Sequence, residues 1–454
     1  MQKFAEQLER IIPTAMTGTV VGTEGTTVAV ADFPVPVGAV VQLEKHSGCT
    51  ISGEVIGFQD HLTLVYPFQT VSGIRRGAEA RLSSTSSVLR VGPALLGRVV
   101  NPRGDCIDGL PTPSLPDRVP REQKAPPALE RPLIRKPLGT GIRAIDGLLT
   151  CGRGQRLGIF SGTGVGKSVL LGTMAQQTTA DVNVIALIGE RGREVSEFIQ
   201  QDLGPIGMKK SVLVVATSDE PAILRIHAAH TATAIAEYFR DHGKSVLLLM
   251  DSLSRYALAQ REIGLAAGEP PTTKGFPPSV FSSLPRLVER AGTNDRGSIT
   301  AFYTVLVEGD DLEEPISDTT RGILDGHIVL SRSLAARGHY PSIDVLQSLS
   351  RLMDQIVPQS QVVAAQSIRE LLAAYQDHED MISIGAYRNG SNRQVDMAIT
   401  LRNEINRYLR QDTADACTMT DARESLVRLA KKCTATPLAA VGTPDESTAR
   451  VLEQ

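Results

Sequence analysis

The segment Ser161-Gly162-Thr163-Gly164-Val165-Gly166-Lys167-Ser168 has the composition of a phosphate-binding loop. It follows an apolar run at 156–160 and precedes a stretch with helical character. Gly162, Gly164 and Gly166 let the backbone curl so that successive N–H groups point inward at anionic oxygens. The helix opening at Lys167 adds the partial positive charge of its N-terminus. In such a loop the lysine reaches the β- and γ-phosphates and the hydroxyl, here Ser168, ligates magnesium. Contacts with the nucleotide are therefore expected from Gly162, Thr163, Gly164, Val165, Gly166, Lys167, Ser168 and Val169. The strict pattern begins with glycine, and Ser161 departs from it.

Three further residues could supply the rest of a hydrolytic site. Asp251 ends the apolar run 246–250, and a carboxylate at the tip of a buried strand beside the loop can hold a magnesium hydration shell. An N-cap for the next helix is the bland reading. Glu190, in Gly189-Glu190-Arg191-Gly192-Arg193-Glu194, lies just past the run 184–188 and could orient and polarise an attacking water. Glu194 is the rival for that role. Arg351 stands far downstream. An arginine entering a neighbouring subunit's site is worth about 10³–10⁵ in rate in the best cases, whereas spacing alone favours a plain surface arginine.

These residues need elements to hold them. Continuous apolar runs at 156–160, 184–188, 212–215 and 246–250 alternate with helical stretches, which predicts an α/β domain with a parallel sheet covered on both faces. Upstream, β-rich runs at 26–30, 39–43 and 62–66 separated by Gly, Pro and Asp turns predict a small barrel. Phe4, Leu8, Ile11 and Ile12 could place a short amphipathic helix before it, either a docking helix or a frayed end. The proline-rich stretch 101–137 reads as an extended connector, neither helix nor strand. From about Val362 the texture is helical. The expected divisions are 1–92, 93–355 and 356–454.

The bulk numbers set bounds. The 454 residues exceed one ordinary core. With 41% hydrophobic and 21% charged residues and a net charge of −3, composition gives no sign of a nucleic-acid or membrane-surface protein. No apolar stretch is long enough to cross a bilayer, and the N-terminus lacks a signal-peptide core. Five scattered cysteines, with no Cys-x-x-Cys pair, argue against a disulfide framework or a zinc site and for reduced thiols in a cytosolic protein. The barrel segment lacks interleaved aromatic and basic residues, and the chain has no Trp.

The motifs 164–168, 189–194, Asp-Ser-Leu-Ser-Arg-Tyr-Ala (251–257), Gly-Glu-Pro-Pro-Thr-Thr-Lys-Gly-Phe-Pro-Pro-Ser-Val-Phe (268–281), 303–311, 324–332 and Tyr-Pro-Ser-Ile-Asp-Val-Leu-Gln-Ser-Leu-Ser-Arg (340–351) run in order. Together they resemble the ATPases of type III protein export, flagellar or virulence-type, which are related to the catalytic subunits of rotary ATP synthases. The resemblance covers nearly the whole chain. It implies a RecA-like P-loop core preceded by a β-barrel and followed by an α-helical domain. It also implies that Glu190 is the general base, that Arg191 and Arg255 approach the γ-phosphate, that Tyr340 stacks on the adenine, and that Arg351 is the finger from an adjacent subunit. Ser161 stands where this family often has Ala and the synthase catalytic subunit has Gly.

Further expectations come with the resemblance. They are Mg-ATP as substrate, a homohexamer, stator and central-stalk partners, chaperone–substrate complexes, and peripheral contact of a cytoplasmic protein with an inner-membrane export gate. Two segments differ from the synthase catalytic subunit. Residues 412–418 lack aromatics that would line an adenine pocket, which bears on base selectivity, and 385–394 is neutral to basic where the synthase has an acidic lever loop. The competing readings are a rotary synthase subunit, a hexameric nucleic-acid motor and a non-enzymatic nucleotide-binding scaffold.

Overall fold

A computed structural model describes residues 16–435, except Glu308, Asp310 and Leu312. The expected helix at 1–12 lies outside the described residues. The chain begins as a closed barrel, with strands β1 (Thr17–Glu24), β2 (Thr27–Ala31), β3 (Val40–Glu44), β4 (Thr50–Gln59), β5 (Leu62–Pro67) and β6 (Glu79–Ser84) in the order β1-β2-β5-β4-β3-β6. Every neighbouring pair is antiparallel. Val28, Val30, Val41, Leu43, Val55 and Val65 fill the interior, as the two-residue strand period requires.

The proline-rich stretch is not structureless. Its segment β9 (Asp117–Pro120) pairs antiparallel with β7 (Val88–Val91). The expectation of no strand there fails because only Pro120 falls within β9, at its last residue, where a missing N–H is tolerated. Leu89 and Val91 pack into the same buried cluster as the central sheet, although they precede the expected division at residue 93. Between β7 and β9 the chain forms the edge strand β8 (Val99–Val100).

After a small two-stranded sheet, β10 (Pro137–Leu138) with β11 (Cys151–Gly152), come the strands of the core. These are β12 (Arg156–Ser161), β13 (Val182–Glu190), β14 (Ser211–Thr217), β15 (Ser245–Asp251), β16 (Gly292–Thr293), β17 (Ser298–Leu306), β18 (Gly326–Leu330) and β19 (Ile343–Ser350). The sheet runs β19-β18-β12-β17-β15-β13-β14-β8, with β16 pairing beside β17. Pairing is parallel from β18 to β8 and antiparallel for β19. Every residue of β13 and β15 is buried. Alternate residues serve opposite faces: Val184, Ala186 and Ile188 join one cluster, Ile185 and Leu187 the other.

The first cluster takes in the helices Ala222–Asp241, Leu253–Ala266 and Pro278–Val288, and reaches the barrel through Tyr66 and Phe68. The Tyr66 hydroxyl donates to Glu262 at 2.6 Å, and His227 meets Glu54 at 2.8 Å, so both contacts cross from core to barrel. The second cluster takes in the helix Lys167–Gln177 and the C-terminal helices Gln359–Asp377, Arg393–Leu409 and Met419–Ala435. Gln361 donates to the Asp146 and Gly147 carbonyls, and Arg369 to those of Leu148 and Val345, which fixes the C-terminal helices to the core. Among the described residues no helix is long and apolar enough to cross a membrane.

Candidate active site

Because β12, β13 and β15 are parallel, their C-terminal ends lie on one edge of the sheet, where α/β folds bind ligands. The loop Gly162–Gly166 leaves β12 there. Gly166 has φ 84°, a left-handed conformation suited to glycine. A side-chain carbon at Gly166 would stand 3.3 Å from the Tyr340 ring, so the tyrosine lies directly on the loop. Tyr340 remains 46% exposed, which leaves ring surface for a base. The loop is held from below by Ser342, whose hydroxyl donates to the Val165 carbonyl at 2.6 Å.

Lys167 opens the following helix and points at two acids. Its Nζ is 2.5 Å from Asp251 Oδ1 and 3.7 Å from Glu190 Oε1. Burial works against the ammonium charge, but Asp251 and Glu190 outweigh it and raise the Lys167 pKa. Asp251 closes β15, and its Oδ1 also accepts from the Thr304 hydroxyl at 2.6 Å. Thr304 is on β17, the strand between β12 and β15. Glu190 closes β13, and its Oε2 is 3.5 Å from an Arg255 guanidinium nitrogen. Gly189, with φ 69°, makes room, since a side-chain carbon there would stand 2.7 Å from the Arg255 stem. Burial, and then the nearby Asp251 charge, push the Glu190 carboxyl above the usual carboxylate range, while Lys167 and Arg255 pull it back.

The structure thus brings Lys167, Glu190, Asp251 and Arg255 together, with Tyr340 over the loop. The rival acid, Glu194, pairs at 3.7 Å with Arg191, whose side chain is largely exposed, and shares a hydrogen bond with the Glu190 carboxyl that adds to the rise of the Glu190 pKa. Ser168 is in the first turn of the helix behind Lys167, and Thr163 is exposed on the loop. Ser161 is buried, and its hydroxyl has no partner among the described residues. Arg351 is elsewhere. Its backbone N–H donates to Asp325, whose own N–H donates to Arg156 at the start of β12. The loop leaves the other end of β12, five residues on, about 17 Å away at ~3.3 Å per residue. β19 is also the outermost strand of the sheet.

Thr304, Ser342 and Arg332 went unassigned in the sequence. A side-chain carbon at Gly162 would collide with the Arg332 guanidinium, which therefore rests against the phosphate loop. Thr304 and Arg332 lie inside the motifs 303–311 and 324–332, but nothing in their spacing indicates which neighbour each one touches.

A parallel sheet with a lysine-bearing phosphate loop, two carboxylates at its strand tips and an arginine beside the second defines a P-loop nucleotide hydrolase. Residues 141–350 match the nucleotide-binding domain of the ATP synthase alpha/beta family, and 357–428 match the type III secretion EscN ATPase C-terminal domain. The flagellum-specific ATP synthase of Bacillus subtilis is 52% identical over 390 residues, 86% of this chain and 89% of the relative. The type 3 secretion system ATPase of Xanthomonas euvesicatoria is 52% identical over 397 residues, 87% of this chain and 90% of the relative. The structure of the assembled ATPase EscN from the enteropathogenic E. coli type III secretion system superposes with a TM-score of 0.85 at 45% identity, covering 91% of this chain and all of that one. A structure of EscN in complex with its central stalk EscO gives 0.84. The chain belongs to the family of flagellum-specific and type 3 secretion system ATPases, and its reaction is ATP hydrolysis. These two relatives, one flagellar and one from a secretion system, are equally identical to it, at 52% each.

Proposed function

We propose that this chain energises type III protein export as a homohexamer whose active sites lie at subunit boundaries. Lys167 and the backbone from Gly162 to Val169 bind the triphosphate, with Tyr340 stacked on the adenine. Glu190 is the base that orients and deprotonates the attacking water. Arg255 and Arg191 act on the γ-phosphate, and Lys167 leaves its acidic partners for the phosphates when ATP enters. The observation that carries the proposal is a split: Glu190 faces its own Lys167, while Arg351 lies at the opposite end of β12. A finger that far away serves a neighbour's γ-phosphate, and only a ring lets every copy both give and receive one.

Magnesium fits the donors present. Ser168 offers a hydroxyl and Asp251 a carboxylate, and among the described residues no group of three or more His, Cys, Asp and Glu could hold a metal by itself. That sparse set suits a cation that takes most of its shell from phosphate and water. Bound there, it would neutralise charge between the β- and γ-phosphates. ATP binding would close each boundary and hydrolysis release it. These cycles would release substrates from chaperones and help deliver them to the export gate, with a central stalk and a stator as partners and peripheral contact with the inner membrane from the cytoplasmic side.

Mixing two inactive variants tests the boundary site. Arg351→Ala and Lys167→Ala chains should each be inactive alone and partly active together, because a mixed boundary combines an intact loop with an intact finger. Absence of recovery at every mixing ratio would overturn the trans assignment.

A further inference from the structure

A cavity of about 210 Å³ opens at the seam between the core and the C-terminal helices, away from the phosphate loop. Its wall includes His339, Arg337, Arg402, Arg410, Tyr375 and Glu379. The charges on this wall do not cancel. Arg337 is paired with Glu379 at 3.0 Å. The other nearby acid, Asp344, is taken up by the Leu346 and Gln347 N–H groups and the Gln347 amide. The Arg402 guanidinium carbon stands 3.9 Å from the centre of the Tyr375 ring, which restrains the group, and neither Arg402 nor Arg410 has a carboxylate partner among the described residues. His339 is only 5% exposed, yet its Nε2 is buried without a hydrogen-bond partner. A buried polar atom left unpaired is unfavourable and points to something that satisfies it. Burial, and then Arg410 and Arg402, push the His339 pKa down to about 4, so the ring is neutral near pH 7 and one of its nitrogens can carry the hydrogen as donor.

We propose that this cavity binds a small phosphate oxyanion, orthophosphate or pyrophosphate, held by the Arg402 and Arg410 guanidinium groups and by Nε2–H of His339. Guanidinium forks match phosphate oxygens, and fixing one fork against an aromatic ring prepares it for that contact. The cavity is large enough for one or two phosphate groups. The position gives the site a consequence. His339 precedes Tyr340, and Arg410 precedes Gln411, whose N–H donates to the Tyr340 carbonyl at 3.0 Å. A bound anion would fasten the loop that seats Tyr340 on the phosphate loop to the end of the helix Arg393–Leu409. That consequence rests on the adenine-stacking role of Tyr340; anion binding itself does not.

The test uses the full chain carrying Lys167→Ala, which silences the phosphate loop, and titrates it calorimetrically with pyrophosphate and, separately, orthophosphate. Saturable binding of at least one is expected, weakened tenfold or more when Arg402→Gln or Arg410→Gln is added. Arg410 is exposed, so its variant should keep the parent melting temperature and reports on the anion alone. No saturable binding to the Lys167→Ala chain would overturn the proposal, as would affinity unchanged in both arginine variants. Neither outcome touches the assignment of the ATP site.

Discussion

Glu190 sits between two cations and beside a second carboxylate, and this placement decides when it can act as a base. Its raised pKa means that the carboxylate, the form that accepts a proton, is lost as pH falls through that raised value rather than through the usual carboxylate range. The acid limb of kcat/KM, corrected for titration of ATP itself, should therefore lie above the ordinary glutamate range near 4.3. A limb at the ordinary value would count against Glu190. Glu190→Gln should lower kcat by at least about hundredfold, the scale of general-base catalysis, while ADP binding stays within a few-fold; retained turnover would remove it from the base role. Glu190, Asp251 and Lys167 were legible in the sequence because each sits at the tip of an apolar run or the mouth of a glycine-rich turn. Thr304 and Ser342 were not, since a hydroxyl that serves an active-site carboxylate or a loop carbonyl carries no signal in one dimension. Their contacts depend on strand order and on a loop returning from residue 340.

The elements that hold these residues were predicted with uneven success, for a physical reason. β13 and β15 are buried on both faces and announce themselves as apolar runs, whereas β9, with Asp117, Arg118 and Pro120, forms only because β7 offers it a partner. The packing between helices was also hidden. Arg290, just past the helix Pro278–Val288, forms a double hydrogen bond to Glu237 of the helix Ala222–Asp241 at 2.7 and 3.0 Å and also donates to the Arg121 carbonyl. Side-chain exposure of the pair is 2% and 1%. Removing one partner of such a pair strands a buried charge, which costs about 3–5 kcal/mol. Glu237→Ala should lower the urea midpoint accordingly, while Glu79→Ala, at an exposed pair with Arg81, should leave it unmoved. Equal midpoints for both would mean the Arg290 contact does not stabilise the helix packing.

For the whole molecule, the question that separates an export motor from a nucleic-acid motor is what the barrel presents to its surroundings. Single-stranded nucleic acid is gripped without sequence preference by a basic groove carrying several exposed aromatic rings, each worth about 1–3 kcal/mol of stacking. In this barrel Phe33, Tyr66 and Phe68 are buried, and Phe58 is the single exposed ring among its described Phe and Tyr residues. Tyr66 is committed to Glu262 and Phe68 packs against His227, so two of the buried rings join barrel to core. Ring burial of this kind makes the barrel a structural partner of the α/β domain and leaves it no row of stacking faces. Saturating poly(U) or single-stranded DNA should accordingly change the ATPase rate by less than about twofold, because one exposed ring cannot hold a strand in register with the catalytic cycle. Strong stimulation that fell steeply with added salt would mark phosphate-backbone binding and would move the coupling of hydrolysis from protein export to a nucleic-acid track.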